Sequence, residues 1–156
     1  MPLREFQEKD GPHVKDLVNS ILFKEFSLST KVYQLDDLDS ISKAYNGPRD
    51  IFYVLEESNK IIGTVGIKED TKQVALLRRM YVHPDHRGKG YGSLLINAAI
   101  DFCKNNNYRQ IVFRSTSQMQ DAIKLCLRKG FSEQEKLNLG DIQIIKFVLR
   151  LSSKNI

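Results

Sequence analysis

Apolar positions recur along this chain with two different periods, and the switches between them mark its elements. Val14, Leu17, Val18, Ile21 and Leu22 fall three and four apart and make one face of a helix over residues 11–26. Pro12 lies near its first turn, and Asp10 is placed to cap it. Ahead of it, "PLREFQE" (2–8) reads as a short strand, and "DDLDSISKAY" (36–45) reads as a second short helix that ends near Asn46-Gly47-Pro48. Strand-like runs follow: "DIFYVLEE" (50–57), "IIGTVGIK" (61–68) and "QVALLRRMYV" (73–82), separated by the polar turns "SNK" and "EDTK". Leu94, Leu95, Ala98, Ala99 and Phe102 return to the helical period. "YRQIVFRST" (108–116) is then a strand, and "MQDAIKLCLRKG" (119–130) is a helix stopped by Gly130. Strands at 131–138 and 142–151 flank a turn at Gly140-Asp141.

The order is therefore β-α-α-β-β-β-α-β-α-β-β. Residues 50–82 make an antiparallel meander. The strand–helix–strand unit 73–116 implies a right-handed parallel crossover. A mixed sheet with helices on both faces follows, an α/β (α+β mixed) class. With no repeat, low-complexity block or linker, residues 1–156 are expected to form a single domain.

Composition narrows the function classes only slightly. The hydrophobic fraction of 41% supplies an ordinary core. No apolar run approaches the roughly 18 residues of a membrane span, and "MPLREFQEKD" lacks the apolar core of a signal peptide. Cys103 and Cys126 make no disulfide framework, so a cytoplasmic setting without membrane attachment is expected. The net charge of +5 suits phosphate ligands or acidic substrates. Nucleic acid is not expected as a partner, because no dense Lys/Arg run or RNA-binding aromatic motif is present.

The chemistry concentrates in "MYVHPDHRGKGYGSLL" (80–95), where an apolar strand runs through Arg87-Gly88-Lys89-Gly90-Tyr91-Gly92 directly into an apolar helix. Glycines at every second position cost conformational entropy unless the backbone itself is needed there. A loop opening a helix presents free backbone N–H groups and the positive end of the helix dipole, which together bind anions, phosphate above all. Arg87 and Lys89 add charge beside it. The loop is not a P-loop, which needs G-x-x-x-x-G-K-[ST], and its G-x-G-x-G spacing is one residue short of the dinucleotide fingerprint.

At these residues the chain resembles the GNAT superfamily of N-acetyltransferases. Arg87 to Gly92 matches the family's [QR]-x-x-G-x-[GA] signature, and "AIKLCLRKGF" (122–131) is similar to its A-x-x-L-Y-x-x-x-G-F helix. The likeness spans roughly residues 3 to 150 and is strongest over 73–131. It implies the GNAT fold, a mixed central sheet of six to seven strands flanked by about four helices. It implies acetyl-CoA as co-substrate, with no metal, and acetyl transfer to a primary amine of a small molecule, amino acid or peptide. The loop Arg87, Gly88, Lys89, Gly90, Tyr91, Gly92 and Ser93 would hold the pyrophosphate. The strand Met80, Tyr81 and Val82 would splay from Arg114–Thr116 to admit pantetheine, with the backbone N–H of Met80 on the thioester oxygen and that of Val82 on the pantetheine amide. Homodimers are common among relatives.

An amine of pKa near 10.4 must lose a proton before it attacks, the developing oxyanion needs a donor, and the leaving thiolate needs a proton. The proton carriers depart from the family pattern: Leu76 stands at the usual Glu position and Cys126 at the usual Tyr. Cys126 admits three readings: a small buried apolar residue, a thiol acid replacing the Tyr, or an acetylated nucleophile. His83 is either a proton relay through water or an exposed loop residue before Pro84. Arg78 and Arg79 point to opposite faces by the period of two; one of them grips a substrate carboxylate, or both are solvated and paired with acids. Ser115, Thr116 and Ser117 line the cofactor groove or cap the next helix. Phe23, Phe26, Tyr33, Asp36, Asp37 and Asp39 fall where the family shapes its acceptor pocket. A non-catalytic CoA-binding module is the alternative function.

Overall fold

The structure, a computed structural model, describes residues 2–25 and 36–151. Seven strands carry it: β1 (Leu3–Glu5), β2 (Ile51–Glu57), β3 (Lys60–Glu69), β4 (Val74–Val82), β5 (Gln110–Thr116), β6 (Ser132–Leu139) and β7 (Ile142–Arg150). They form one sheet in the order β1-β2-β3-β4-β5-β7-β6, antiparallel throughout except for the β4–β5 pair. The parallel pair follows from the crossover through α3 (Tyr91–Asn105), and α4 (Gln120–Arg128) leads into the closing hairpin. The mixed sheet and its helices are those the sequence pattern implies.

The helices before β2 are shorter than the apolar periodicity suggests. α1 covers Gly11–Ser20 and passes into a wider π-type turn over Ile21–Glu25. The 36–45 segment divides into a 3-10 turn at Asp36–Asp39 and a single helical turn, α2, at Ile41–Ala44. Asp10 does not cap α1 with its side chain. Its carboxylate turns back, accepts from the Gln7 N–H at 2.8 Å, and pairs with Arg4 at 2.8 Å. At 3% exposure an ion pair satisfies this carboxylate better than one backbone donor would.

Two apolar layers cover opposite faces of the sheet. On one, Leu95, Ile96 and Ala99 of α3 and Ile123 of α4 pack over Ala75, Leu77, Ile111 and Phe113. On the other, Val14, Val18 and Ile41 of α1 and α2 pack over Phe52 and Val54 of β2. By the strand period of two, Leu76 and Arg78 of β4, and Val112, Arg114 and Thr116 of β5, belong to the α1–α2 face. Gly66 of β3 lies under this second layer. A Cβ there would sit 2.9 Å from both the Phe52 and Tyr45 rings, which already pack edge to face at 5.0 Å. Gly66→Ala is expected to cost about 1–3 kcal/mol through this overpacking, read as a fall in thermal midpoint. Among the described residues no helix is long and apolar enough to cross a membrane.

Candidate functional site

The site begins with a fault in β4. Gly66 faces Arg78 and Thr64 faces Tyr81, so β4 spends Arg79 and Met80 where β3 spends only Val65. This is a β-bulge, and Arg79 adopts a left-handed conformation in it, with φ of 55°. The Thr64 hydroxyl fixes the distortion by donating to the Arg79 carbonyl at 2.7 Å. The bulge breaks the alternation of faces, and Arg79 and Met80 are both buried at 8% exposure.

A bulge bends its strand, and here the bend opens the sheet. Parallel pairing between β4 and β5 runs from Val74–Gln110 to Leu77–Phe113 and then stops, although β4 continues to Val82 and β5 to Thr116. The wedge between them holds a cavity of about 310 Å³, walled by Arg78, Tyr81, Phe113, Arg114, Thr116 and Ile144 among others. Gly63 and Val82 face each other across β3 and β4, with the neighbouring bond running from the His83 N–H to the Ile62 carbonyl. That pattern marks a non-hydrogen-bonded pair, so the N–H and C=O of Val82 itself turn away from β3, toward the wedge side.

A second cavity, of about 510 Å³, follows the glycine loop and α4 and shares Met80, Tyr81, Met119 and Ala122 with the wedge. Gly90 is the N-cap of α3, with φ of 84°, and no side chain caps the helix. The N–H groups of its first turn have no intrahelical partner by helix geometry and point into this groove with the positive end of the dipole. A Cβ on Gly88 or Gly90 would meet no atom of the protein within 4 Å. The glycines therefore leave a shallow cradle of main-chain donors that a methyl group would fill. An extended phosphate-bearing ligand with a slender amide arm fits this combination of cradle, groove and wedge.

Of the residues singled out in the sequence, Met80, Tyr81, Val82, Arg87, Gly88, Gly90, Tyr91, Gly92 and Ser93 all line the larger groove. Lys89 is exposed and lies outside the lining. His83 also lies outside both grooves; its Nδ1 accepts from the Asp85 N–H at 3.1 Å, in keeping with the loop reading. His86 lines the groove instead, with its Nδ1 3.9 Å from Glu57. Glu57 also accepts from the Tyr91 hydroxyl, which raises the Tyr91 pKa. The sequence offered no sign of Glu57, since it sits at the far end of β2 and meets the loop only through the fold.

Cys126 is fully buried among the α3–α4 apolar layer and lines neither groove. Helical phase turns it inward beside Ile123, while Ala122 and Leu125 reach the groove wall. Burial pushes its thiol up to about 12, and that of Cys103 likewise. The arrangement supports the buried-apolar reading and argues against thiol acid or nucleophile. Cys126→Ala is expected to keep full turnover and to lose about 1–2 kcal/mol of stability. In the native protein at pH 8, neither thiol is expected to react with a disulfide reagent until the chain unfolds.

Arg78 and Arg79 do not diverge as a regular strand would send them. The bulge brings both toward Asp37: Arg79 donates through Nη2 at 2.6 Å and Nε at 3.0 Å, and the Nη2 of Arg78 lies 4.0 Å away. The Tyr45 hydroxyl donates to the same carboxylate at 2.8 Å. Burial opposes the charged form of Asp37, but the bonds and charge of Arg79 outweigh it and hold the carboxyl below its ordinary range. Burial raises the Tyr81 phenol, so it stays protonated at neutral pH. Ser115 and Thr116 line the wedge, and α4 starts without a side-chain cap. Asp39 pairs with Lys15 at 2.6 Å, and Phe23 is 49% exposed. Phe26, Tyr33 and the side chain of Asp36 lie outside the described residues.

Comparison with known proteins bears on this geometry. A family model described as "Acetyltransferase (GNAT) family" matches residues 15–131. N-acetyltransferase 8F1 of Rattus norvegicus is 29% identical over 103 residues, covering 62% of this chain and 46% of its own length. The uncharacterized N-acetyltransferase YjgM of Escherichia coli is 24% identical over 134 residues, covering 83% of this chain and 80% of its own. The chain thus spans about half the length of the first curated relatives it matches. Among solved structures, a GNAT-family acetyltransferase of Staphylococcus aureus superposes with a TM-score of 0.86 at 20% identity, over 96% of this chain and 98% of that one. The yncA protein of Salmonella typhimurium, solved with its cofactor acetyl-CoA, superposes with a TM-score of 0.77 at 19% identity, over 99% and 95%.

Proposed function

The chain belongs to the acetyltransferase (GNAT) family, and from that premise we propose that it is an acetyl-CoA-dependent N-acetyltransferase that acts on a primary amine by direct attack in a ternary complex. The observation that carries this reading is the conjunction of an uncapped helix N-terminus, glycines with open space above them, and a sheet that parts where the groove arrives. The α3 N-terminus and the loop from Arg87 to Ser93 would take the pyrophosphate, and the Val82 N–H would take the pantetheine amide. Acetyl-CoA supplies the activated acyl group. The chain supplies the Met80 N–H as donor to the developing oxyanion and holds both substrates at the mouth of the wedge, where proximity does most of the work. Tyr81 is protonated and cannot take a proton, so the ammonium proton leaves to water through the open wedge.

Calorimetric titration with acetyl-CoA, with NADH and ATP as controls, tests the first half of the proposal. Selective binding is expected, and its absence at millimolar ligand would sink the reading. Release of CoA on addition of an amine tests the second half. Two observations favour a rival: the wedge offers Leu76 where the family resemblance implies a carboxylate base, and Cys126 is withdrawn into the core. A non-catalytic CoA-binding module would bind acetyl-CoA and release no CoA, whichever amine is added.

A further inference from the structure

Where β4 and β5 part, the first facing positions beyond the last pair, Leu77–Phe113, are Arg78 and Arg114. Both lie on the α1–α2 face, and both line the wedge. On the next strand Lys146 is the register partner of Arg114, so a row of cations crosses β4, β5 and β7 at one level of the sheet. Like charges at facing positions of a sheet repel, and this row is poorly neutralised. Asp37 is the acid nearest Arg78, but Arg79 and Tyr45 already occupy its oxygens and Arg78 stands 4.0 Å off. Glu135 is in register with Lys146 on the outer side, yet neither the Lys146 nor the Arg114 side chain has a hydrogen-bond or ion-pair partner among the described residues.

A second observation at the same place points to a ligand. Thr116 is 2% exposed, lines the wedge on this face, and its hydroxyl has no hydrogen-bond partner among the described residues. A buried hydroxyl without a partner, in a wedge lined by one unpaired guanidinium and one that only shares a carboxylate at 4.0 Å, is the complement of an anionic oxygen.

We infer that the acceptor is an amine that also carries a carboxylate, and that Arg78 and Arg114 hold the carboxylate while Thr116 donates to it. The inference rests on the acetyltransferase reading and deepens it. Arg78 lies two residues before Met80 along β4, about 5–7 Å allowing for the bulge. A guanidinium there and an acetyl group at Met80 therefore bracket an acceptor whose amine and acid are separated by a short chain. The cation row also rejects polyamines and other purely cationic acceptors, which would bring charge of the same sign into a half-buried cleft.

The test is a set of matched acceptors: amino acids of increasing amine–acid separation, their carboxamides, and the amines left on removing the acid, each assayed for CoA release with acetyl-CoA. The acids are expected to be the preferred acceptors. Arg114→Gln lies on an exposed side chain and should fold. It is expected to raise KM for the acids by about 10- to 100-fold, with little change in kcat and none in acetyl-CoA affinity by calorimetry. Carboxamides or simple amines used as well as the acids, with acetyl-CoA binding intact, would overturn the inference alone. So would an Arg114→Gln variant whose KM for the acids does not move. Failure to bind acetyl-CoA would overturn the acetyltransferase reading and this inference together.

Discussion

Gly90→Ala is expected to leave the fold intact and to weaken acetyl-CoA binding by about 100-fold, a loss near 2.7 kcal/mol. Gly90 holds φ of 84° at the N-cap of α3, and an added Cβ would touch nothing in the protein. The substitution therefore costs only the strain of alanine in a left-handed conformation, about 1–2 kcal/mol. What the methyl does occupy is the space over the main-chain donors that a pyrophosphate needs. Gly140 supplies the control. It sits at φ of 66° in the β6–β7 turn, and a Cβ there is equally unobstructed. Gly140→Ala should carry the same strain and leave acetyl-CoA affinity unchanged. Calorimetry on the two variants separates strain from cradle, and equal losses of affinity in both would refute the assignment of the loop.

The second large effect concerns the ion pair beneath the wedge. The Arg79 and Asp37 side chains are 6% and 7% exposed. Asp37→Ala strands a buried guanidinium and removes the Tyr45 acceptor, which is expected to cost about 3–5 kcal/mol and to lower the thermal midpoint by about 10 °C. Replacing both partners, Asp37→Asn with Arg79→Met, should recover much of that loss, because neither charge is then left alone. A pH dependence follows. The Asp37 carboxyl is held below its ordinary value near 3.9 in the folded state. Its contribution is complete above that ordinary value and disappears as pH falls through the lower folded one. Asp10, lowered chiefly by its bond from Arg4, behaves in the same way. Below about pH 4 the stability of the parent should fall more steeply than that of the double variant. Parallel curves would show that Asp37 titrates normally.

The strand order and the loop were legible because local signals carry them. Alternating runs separated by polar turns mark the meander, and spaced glycines between a strand and a helix advertise a main-chain anion site. The bulge was not legible. Arg78-Arg79 reads as one residue to each face, and nothing in the two letters reveals that Arg79 takes positive φ and shares Asp37 with its neighbour. That conformation is set by Thr64 on β3 and by an acid from the 36–39 turn, both distant in sequence. Cys126 fails for a related reason. A motif alignment gives its position on α4 but not the rotation of the helix, which the packing of α3 decides. Asp10 looked like a cap until Arg4, across a turn, claimed its carboxylate.

A sheet is ordinarily vulnerable at its two outer strands, where unpaired main-chain groups invite another chain to add on. The parting of β4 from β5 gives this sheet inner margins of the same kind. Arg78 and Arg114 stand on them, and charges of one sign at facing positions resist closure of the gap and discourage pairing with a foreign strand. The row proposed to select an acceptor would thus also discourage self-association. Its loss would be felt during expression as insoluble protein, a symptom easily mistaken for misfolding in a chain that folds correctly and then pairs with its copies.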